Sequence, residues 1–219
     1  FWPVTAIVPL VLFGFVCWFF RNPRRAVPDA VGLVVSPADG KVVEIEHREE
    51  DPEIGGPSVT IGIFLSVFNV HINRAPIAAR VIELCYRPGK FLNALRAASA
   101  RENEMMIVRL EADRPPYRRM IVRQIAGAIA RRIVCQVAPG ELLERGEMFG
   151  MIKFGSRTEL VLPESEGLEI RVRIGQKVQA GSTVMAWAFL GESITVVQMA
   201  GISLTLLALG AIALDTRSS

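Results

Sequence analysis

Four short clusters in the sequence carry side chains that can do chemistry. Ser36-Pro-Ala-Asp-Gly40 places a carboxylate, Asp39, in a tight turn, where an aspartate ordinarily bonds its own backbone. Leu65-Ser-Val-Phe-Asn-Val-His-Ile-Asn-Arg-Ala-Pro76 sets His71 and Arg74 into an otherwise apolar, strand-like run. An imidazole there can move protons near neutral pH, or it can be an ordinary hydrogen-bonded structural residue. Tyr86-Arg-Pro-Gly-Lys-Phe-Leu-Asn93 by itself says only turn followed by helix. Met151-Ile-Lys-Phe-Gly-Ser-Arg157 puts a hydroxyl, Ser156, directly after a glycine. A Gly-Ser pair between two strands is ordinarily a bulge or turn. Taken singly, each cluster has an ordinary structural explanation.

The elements that would position these residues are less ordinary. The chain has 219 residues, enough for one catalytic domain with appendages. It is 51% hydrophobic with a mean hydropathy of +0.35, high for a soluble domain, so membrane contact is expected. A net charge of +3 is too mild for a nucleic-acid partner and suits an anionic lipid surface better. Cys17, Cys85 and Cys135 are scattered and lack C-x-x-C spacing, which argues against a disulfide framework or zinc site and for a reducing compartment. Two histidines, His47 and His71, are too few for a histidine-rich centre, and no metal is expected.

Residues 1–20 are almost wholly apolar, with Trp2 and Trp18 near the ends. About 20 such residues span a bilayer as a helix, so this segment reads as a membrane anchor. Arg21, Arg24 and Arg25 follow at once and place the rest on the cytoplasmic side. A signal peptide is the competing reading, but no A-x-A-type cleavage site follows. Within a domain taken as residues 21–188, residues 31–184 show short apolar runs punctuated by Gly and Pro, several of them alternating and β-branched. They predict a β-rich α+β domain of antiparallel, barrel-sandwich-like sheets with a few helices, two of them over residues 90–100 and 124–132. Residues 47–57 read as an acidic surface loop and residues 114–119 as a Pro-rich turn. Residues 174–186 form a hairpin pattern like that of biotinyl and lipoyl domains, and Ser36 to Val43 looks like a related unit. Residues 189–219 form an apolar tail in which 196–214 could be a second membrane segment or an interfacial helix.

Considered together, the clusters change meaning. Phe19-Phe-Arg-Asn-Pro-Arg-Arg25, Ser36-Pro-Ala-Asp-Gly40, the His71 run, Arg87-Pro-Gly-Lys-Phe-Leu-Asn-Ala94, Asn103-Glu104, Gln124-Ile-Ala-Gly-Ala-Ile-Ala-Arg-Arg132 and Phe149-Gly-Met-Ile-Lys-Phe-Gly-Ser-Arg157 occur in this order. The series resembles the phosphatidylserine decarboxylase family, in its short bacterial and archaeal form, over residues 19–188. The resemblance implies a self-processing proenzyme. Ser156 attacks the Gly155 carbonyl, the chain breaks between the two residues, and position 156 becomes a covalent pyruvoyl cofactor. Glycine before the serine allows a strained backbone and leaves its carbonyl open. His71 and Asp39 are the matching residues for proton transfer and its orientation. The pyruvoyl group forms a Schiff base with the substrate amine and accepts the electrons released with CO2. His71 is the expected proton donor in turnover. Arg74, Lys153, Arg157 and the neighbouring Phe154 are candidates for binding a membrane phospholipid. The mature protein is expected as two cleaved chains, α and β, in a homo-oligomer at the membrane.

Longer bacterial relatives carry two histidines in the His71 segment, and Arg74 stands where the second would be. Gly181-Ser182-Thr183 mimics the processing motif of those relatives, but Gln179-Ala180 precede it as in a barrel hairpin. Ser156 is therefore the expected cleavage serine. The rival reading is a membrane-tethered, non-enzymatic binding module of lipoyl or duplicated-hybrid type, for which Lys177 lies near the hairpin turn. It leaves the Phe154-Gly155-Ser156 and His71 runs unexplained.

Overall fold

The computed structural model describes residues 2–96, 98–112, 119–128, 132–153, 155–165 and 167–188. Helix α1 (Trp2–Phe19) leads into β1 (Leu33–Val35), β2 (Gly40–Asp51), β3 (Gly56–Leu65), β4 (Ile72–Arg74) and β5 (Ala79–Arg87). A single-turn helix, α2 (Ser99–Glu102), precedes β6 (Met105–Ala112), β7 (Arg119–Ile125), β8 (Ile133–Cys135), β9 (Leu142–Leu143) and β10 (Met148–Ile152). The described part closes with β11 (Ser156–Pro163), β12 (Leu168–Ile170), β13 (Lys177–Val178) and β14 (Val184–Ala188). Eight strands form one antiparallel sheet in the order β13-β2-β3-β11-β7-β6-β5-β9. Two three-stranded sheets, β1-β14-β12 and β4-β10-β8, complete the fold. The β-rich, antiparallel character expected from the sequence is thus observed.

Strand β11 lies in the middle of the large sheet and is buried on both faces. Side chains alternate along a strand. Leu160 and Leu162 accordingly enter the main core with Ile61, Val122, Phe149 and Met185, while Val161 joins a second cluster with Met105, Ile107 and Ile121. The alternation also puts Ser156 and Thr158 on the core side, and Arg157 and Glu159 on the other. Register fixes the rest: Ser156 is opposite Leu65, the last residue of β3, and Arg157 is opposite Ile125, the last residue of β7. In an antiparallel sheet the exits of β3 and β7 lie beside the entry of β11. The chain leaving β3 becomes the His71 loop, and the chain leaving β7 carries Gly127.

Several expectations are corrected. Residues 90–100 do not form a helix. Lys90 makes an isolated parallel bridge to Asn103, and only Ser99–Glu102 turns helically. Gln124 and Ile125 finish β7 rather than start a helix, and residues 129–131 lie outside the described part. The stretch 47–57 is mostly strand, with β2 running to Asp51. The hairpin expected over 174–186 does not close on itself: β13 pairs with β2, whereas β14 pairs with β1 and β12. Lys177 lies opposite Lys41 in β13 rather than at a hairpin tip, which removes the carrier-lysine reading.

Residues 1–20 are helical over nearly their whole length, and α1 exposes Leu10, Val11, Phe13 and Trp18. At 1.5 Å per residue, 18 residues reach about 27 Å, just short of the roughly 30 Å of hydrocarbon. Among the described residues, no helix is long and apolar enough to cross a membrane. The spanning helix expected there is not supported. Most of the turn at 114–119 and the whole tail from residue 189 lie outside the described part.

Candidate active site

The site is built on the entry to β11. Gly155 has φ of +65°, in the left-handed region that only glycine enters without strain, and an added Cβ would meet nothing within 4 Å. Ser156 follows, fully buried, and its Oγ has no hydrogen-bond partner among the described residues. A buried hydroxyl left unpaired costs about 1–3 kcal/mol, which fits a group held for reaction rather than for stability.

His71 sits beside this dipeptide. Its Nε2 accepts the Gly155 N–H at 3.2 Å, and its Nδ1–H donates to the Asn69 carbonyl at 2.9 Å. The imidazole is therefore the neutral Nδ1–H tautomer. Phe19, the last residue of α1, covers the ring, with centroids 4.4 Å apart and planes tilted by 30°. Phe19 is itself 1% exposed. This burial, helped by the charge on Arg21 and opposed by the Asn69 hydrogen bond, pushes the His71 pKa down to about 4. At neutral pH the ring is a proton acceptor. A neutral ring in the uncut chain suits the proton-transfer role expected of His71 in self-cleavage, while the donor role expected in turnover belongs to the mature protein.

The Asp39 carboxylate is bonded to groups other than His71 in the uncut chain. It accepts both hydrogen bonds of an Arg25 ion pair, at 2.9 and 2.7 Å, and the Ala180 N–H at 2.8 Å. The Asn69 carbonyl, not Asp39, orients His71. Two residues away, the backbone is the nearer partner for Nδ1, while Arg25 takes the carboxylate.

The candidate phosphate ligands separate. Arg157 is 2% exposed and bonded to Glu44 and to Glu159, the latter at 2.9 Å, so it is committed to the far face of the sheet. Arg74 donates to the Gly146 carbonyl at 2.8 Å, Asn22 Oδ1 at 2.5 Å and the Pro23 carbonyl at 3.2 Å. It fastens residues 22–23 to the domain. Lys153 forms no ion pair among the described residues, and its Nζ stands 5.3 Å from the Phe20 ring centroid. Phe154 lies outside the described residues. Ser182 occupies a turn, its N–H donating to the Gln179 carbonyl at 3.2 Å.

Sequence reasoning missed a buried amide relay behind Ser156. Asn73 Nδ2 donates to Thr158 Oγ1 at 3.0 Å, and Gln124 Nε2 donates to Asn73 Oδ1 at 2.9 Å. Three buried polar residues on three separate strands were the available signal. Phe19 opens the first of the family-like blocks, but its contact with His71 went unread, because an aromatic residue ending an apolar helix reads as membrane contact.

Fold and site together describe a β-rich protein with a buried serine and a neutral imidazole at the end of its central strand. The family model for phosphatidylserine decarboxylase matches residues 12–186. The chain is 59% identical over 186 residues to a phosphatidylserine decarboxylase proenzyme of Rhodopirellula baltica, covering 84% of this chain and 76% of that one. It is 45% identical over 185 residues to the proenzyme of Carboxydothermus hydrogenoformans, with 84% of each chain covered. It is 42% identical over 178 residues to that of Syntrophus aciditrophicus, covering 81% and 82%. The chain belongs to the phosphatidylserine decarboxylase family.

Proposed function

We propose that this chain cuts itself between Gly155 and Ser156 and, once cut, decarboxylates the serine headgroup of phosphatidylserine to the ethanolamine headgroup. The observation that carries the reading is the buried, unpartnered Ser156 Oγ directly after a left-handed glycine whose N–H is held by a neutral imidazole. Attack of Oγ on the Gly155 carbonyl carbon forms an ester and breaks the peptide C–N bond, the hydroxyl proton passing to the freed nitrogen. Loss of the Ser156 Cα proton then breaks the Cβ–Oγ bond. Gly155 leaves as a carboxylate, and position 156 becomes dehydroalanine. Water replaces its nitrogen, ammonia departs, and a pyruvoyl group remains. His71 is the base nearest these bonds.

The residues present suit that group, because position 156 is buried and its side chain carries no structural hydrogen bond. When formed, the pyruvoyl carbonyl supplies the electron sink for decarboxylation of an amine substrate. The protein's part is to exclude water, position the substrate and handle the proton. Lys153, at the α1 side of the site, is the candidate for the lipid phosphate. The exposed apolar surface of α1 supports a position at the membrane, and Arg21, Arg24 and Arg25 support a cytoplasmic face. Homo-oligomerisation belongs to the same reading, supported by the family resemblance, and native mass measurement checks it.

Denaturing mass spectrometry of purified protein should show two fragments, the larger ending at Gly155 and the smaller blocked by pyruvoyl. Ser156→Ala should stay uncut and inactive, while Ser182→Ala should still be cut. A wild-type chain that decarboxylates uncut would sink the proposal.

A further inference from the structure

Three of the sequence blocks, 87–94, 103–104 and 124–132, have no part in the chemistry above. The structure ties them to one another. Asn103 is 1% exposed, and its side chain makes three hydrogen bonds. Oδ1 accepts the Leu92 N–H at 2.8 Å, and Nδ2 donates to the Leu92 carbonyl at 2.8 Å and the Ala126 carbonyl at 2.7 Å. The backbone adds Ala126 N–H to the Glu104 carbonyl at 2.9 Å and Glu104 N–H to the Lys90 carbonyl at 3.0 Å. The peptide at Ala126 is thus held from both its N–H and its carbonyl.

The next residue is Gly127, and its Cα faces the scissile bond. A Cβ built there would lie 2.0 Å from the Gly155 carbonyl oxygen, 3.1 Å from the Gly155 carbonyl carbon and 3.5 Å from the Ala94 Cβ. Ala94 is buried, so this wall has backing. The carbonyl that Ser156 would attack rests on the bare Cα of Gly127. Neither end of the dipeptide has slack. Gly155 N–H is on His71, and Ser156 is already paired opposite Leu65 in the sheet.

We infer that Gly127, held in place by Asn103, is a positioning residue for self-cleavage, seating the Gly155 carbonyl for attack by Ser156 Oγ. The inference rests on the cleavage reading above. Asn103 acts through Ala126 and touches no reacting atom. Once the chain is cut, the Gly155 carbonyl belongs to a free carboxylate on the other fragment, and the seat has done its work. Its loss should therefore slow maturation far more than turnover.

Purified precursors of wild type, Gly127→Ala and Asn103→Asp are followed by denaturing gel for the fraction cut with time. Turnover is then measured per pyruvoyl group, titrated with a hydrazine. Thermal melts show whether each precursor is folded. A displacement of about 1 Å in reacting geometry can cost roughly 100-fold, so Gly127→Ala should mature at least tenfold more slowly. Asn103→Asp keeps the size but cannot donate to the Ala126 carbonyl, and it should slow maturation in the same sense. In the fraction that matures, decarboxylation per pyruvoyl group should change by much less than the maturation rate. A Gly127→Ala chain that matures at the wild-type rate overturns the inference. So does one in which maturation, turnover and the melting transition fall together, or in which both rates fall alike. If wild type itself is not cut at Gly155–Ser156, the cleavage reading fails instead, and Ser156→Ala run in parallel separates the two results.

Discussion

His71 donates from Nδ1 to the Asn69 carbonyl, accepts the Gly155 N–H at Nε2, and lies under the Phe19 ring. Protonating it would break the Gly155 contact and place a charge in a dry pocket, which is the physical reason for its low pKa. The sign of the pH effect follows. Between pH 6.5 and about 4 the unfolded chain binds a proton that the folded chain refuses, so stability falls as pH drops through that window. For the uncut Ser156→Ala protein, the part owed to His71 between pH 7 and pH 5 is about 2 kcal/mol. That corresponds to roughly 4–8 °C in melting temperature. His71→Gln in the same background should flatten the loss by that amount. An equal drop in both proteins would mean that His71 is not buried neutral. The residue was legible in the sequence because it stands among blocks that occur in order. Its partner was not, since a backbone carbonyl two residues away leaves no mark in residue types. Asp39 looked like the natural orienter, but Arg25 competes for its carboxylate.

Helix α1 is helical as expected, but the membrane-spanning anchor expected there is not supported. Its apolar side chains and the arginines behind it pointed to the membrane, and its exposed Leu10, Val11 and Phe13 agree with contact there. Its last turn nevertheless belongs to the domain. Arg21 lies over the Trp18 ring at 4.0 Å and donates to the Phe68 carbonyl at 3.1 Å, and Trp18 meets the exposed Phe68 ring edge-on at 6.3 Å. The aromatic and cationic residues of α1 and of the loop before His71 thus form one surface, of the kind that settles at a headgroup layer. We propose, from the arginines on its domain side, that this surface faces the cytoplasm. Protease added outside intact cells should leave the domain whole, and digestion from outside would reverse the orientation. The missed elements have a common cause. Residues 90–92 look helical in composition, but their backbone groups are taken by Asn103, Glu102 and Glu104 from another segment. The glycine-bearing turns over residues 174–186 look like those of a hairpin, but turn residues do not name the partner strand, and β13 and β14 each pair elsewhere.

At the scale of the whole molecule, the proposed cut falls at a boundary between loop and sheet. Everything after it begins as β11, hydrogen-bonded to β3 on one side and β7 on the other for most of its length. Much of the core is therefore shared: Leu160, Leu162 and Met185 from one fragment pack among Ile61, Val122 and Phe149 of the other. The uncut Ser156→Ala chain should refold after denaturation by a first-order process, at a rate indifferent to protein concentration. The mature protein should hold together through native purification, yet once its fragments are separated in denaturant it must find its central strand by collision. Recovery should then slow in proportion to dilution, and refolding of mature protein at a concentration-independent rate would show that the fragments had never parted. Cut at the entry to its middle strand, the chain would fold as a single polymer once and thereafter persist as a heterodimer whose assembly has become bimolecular.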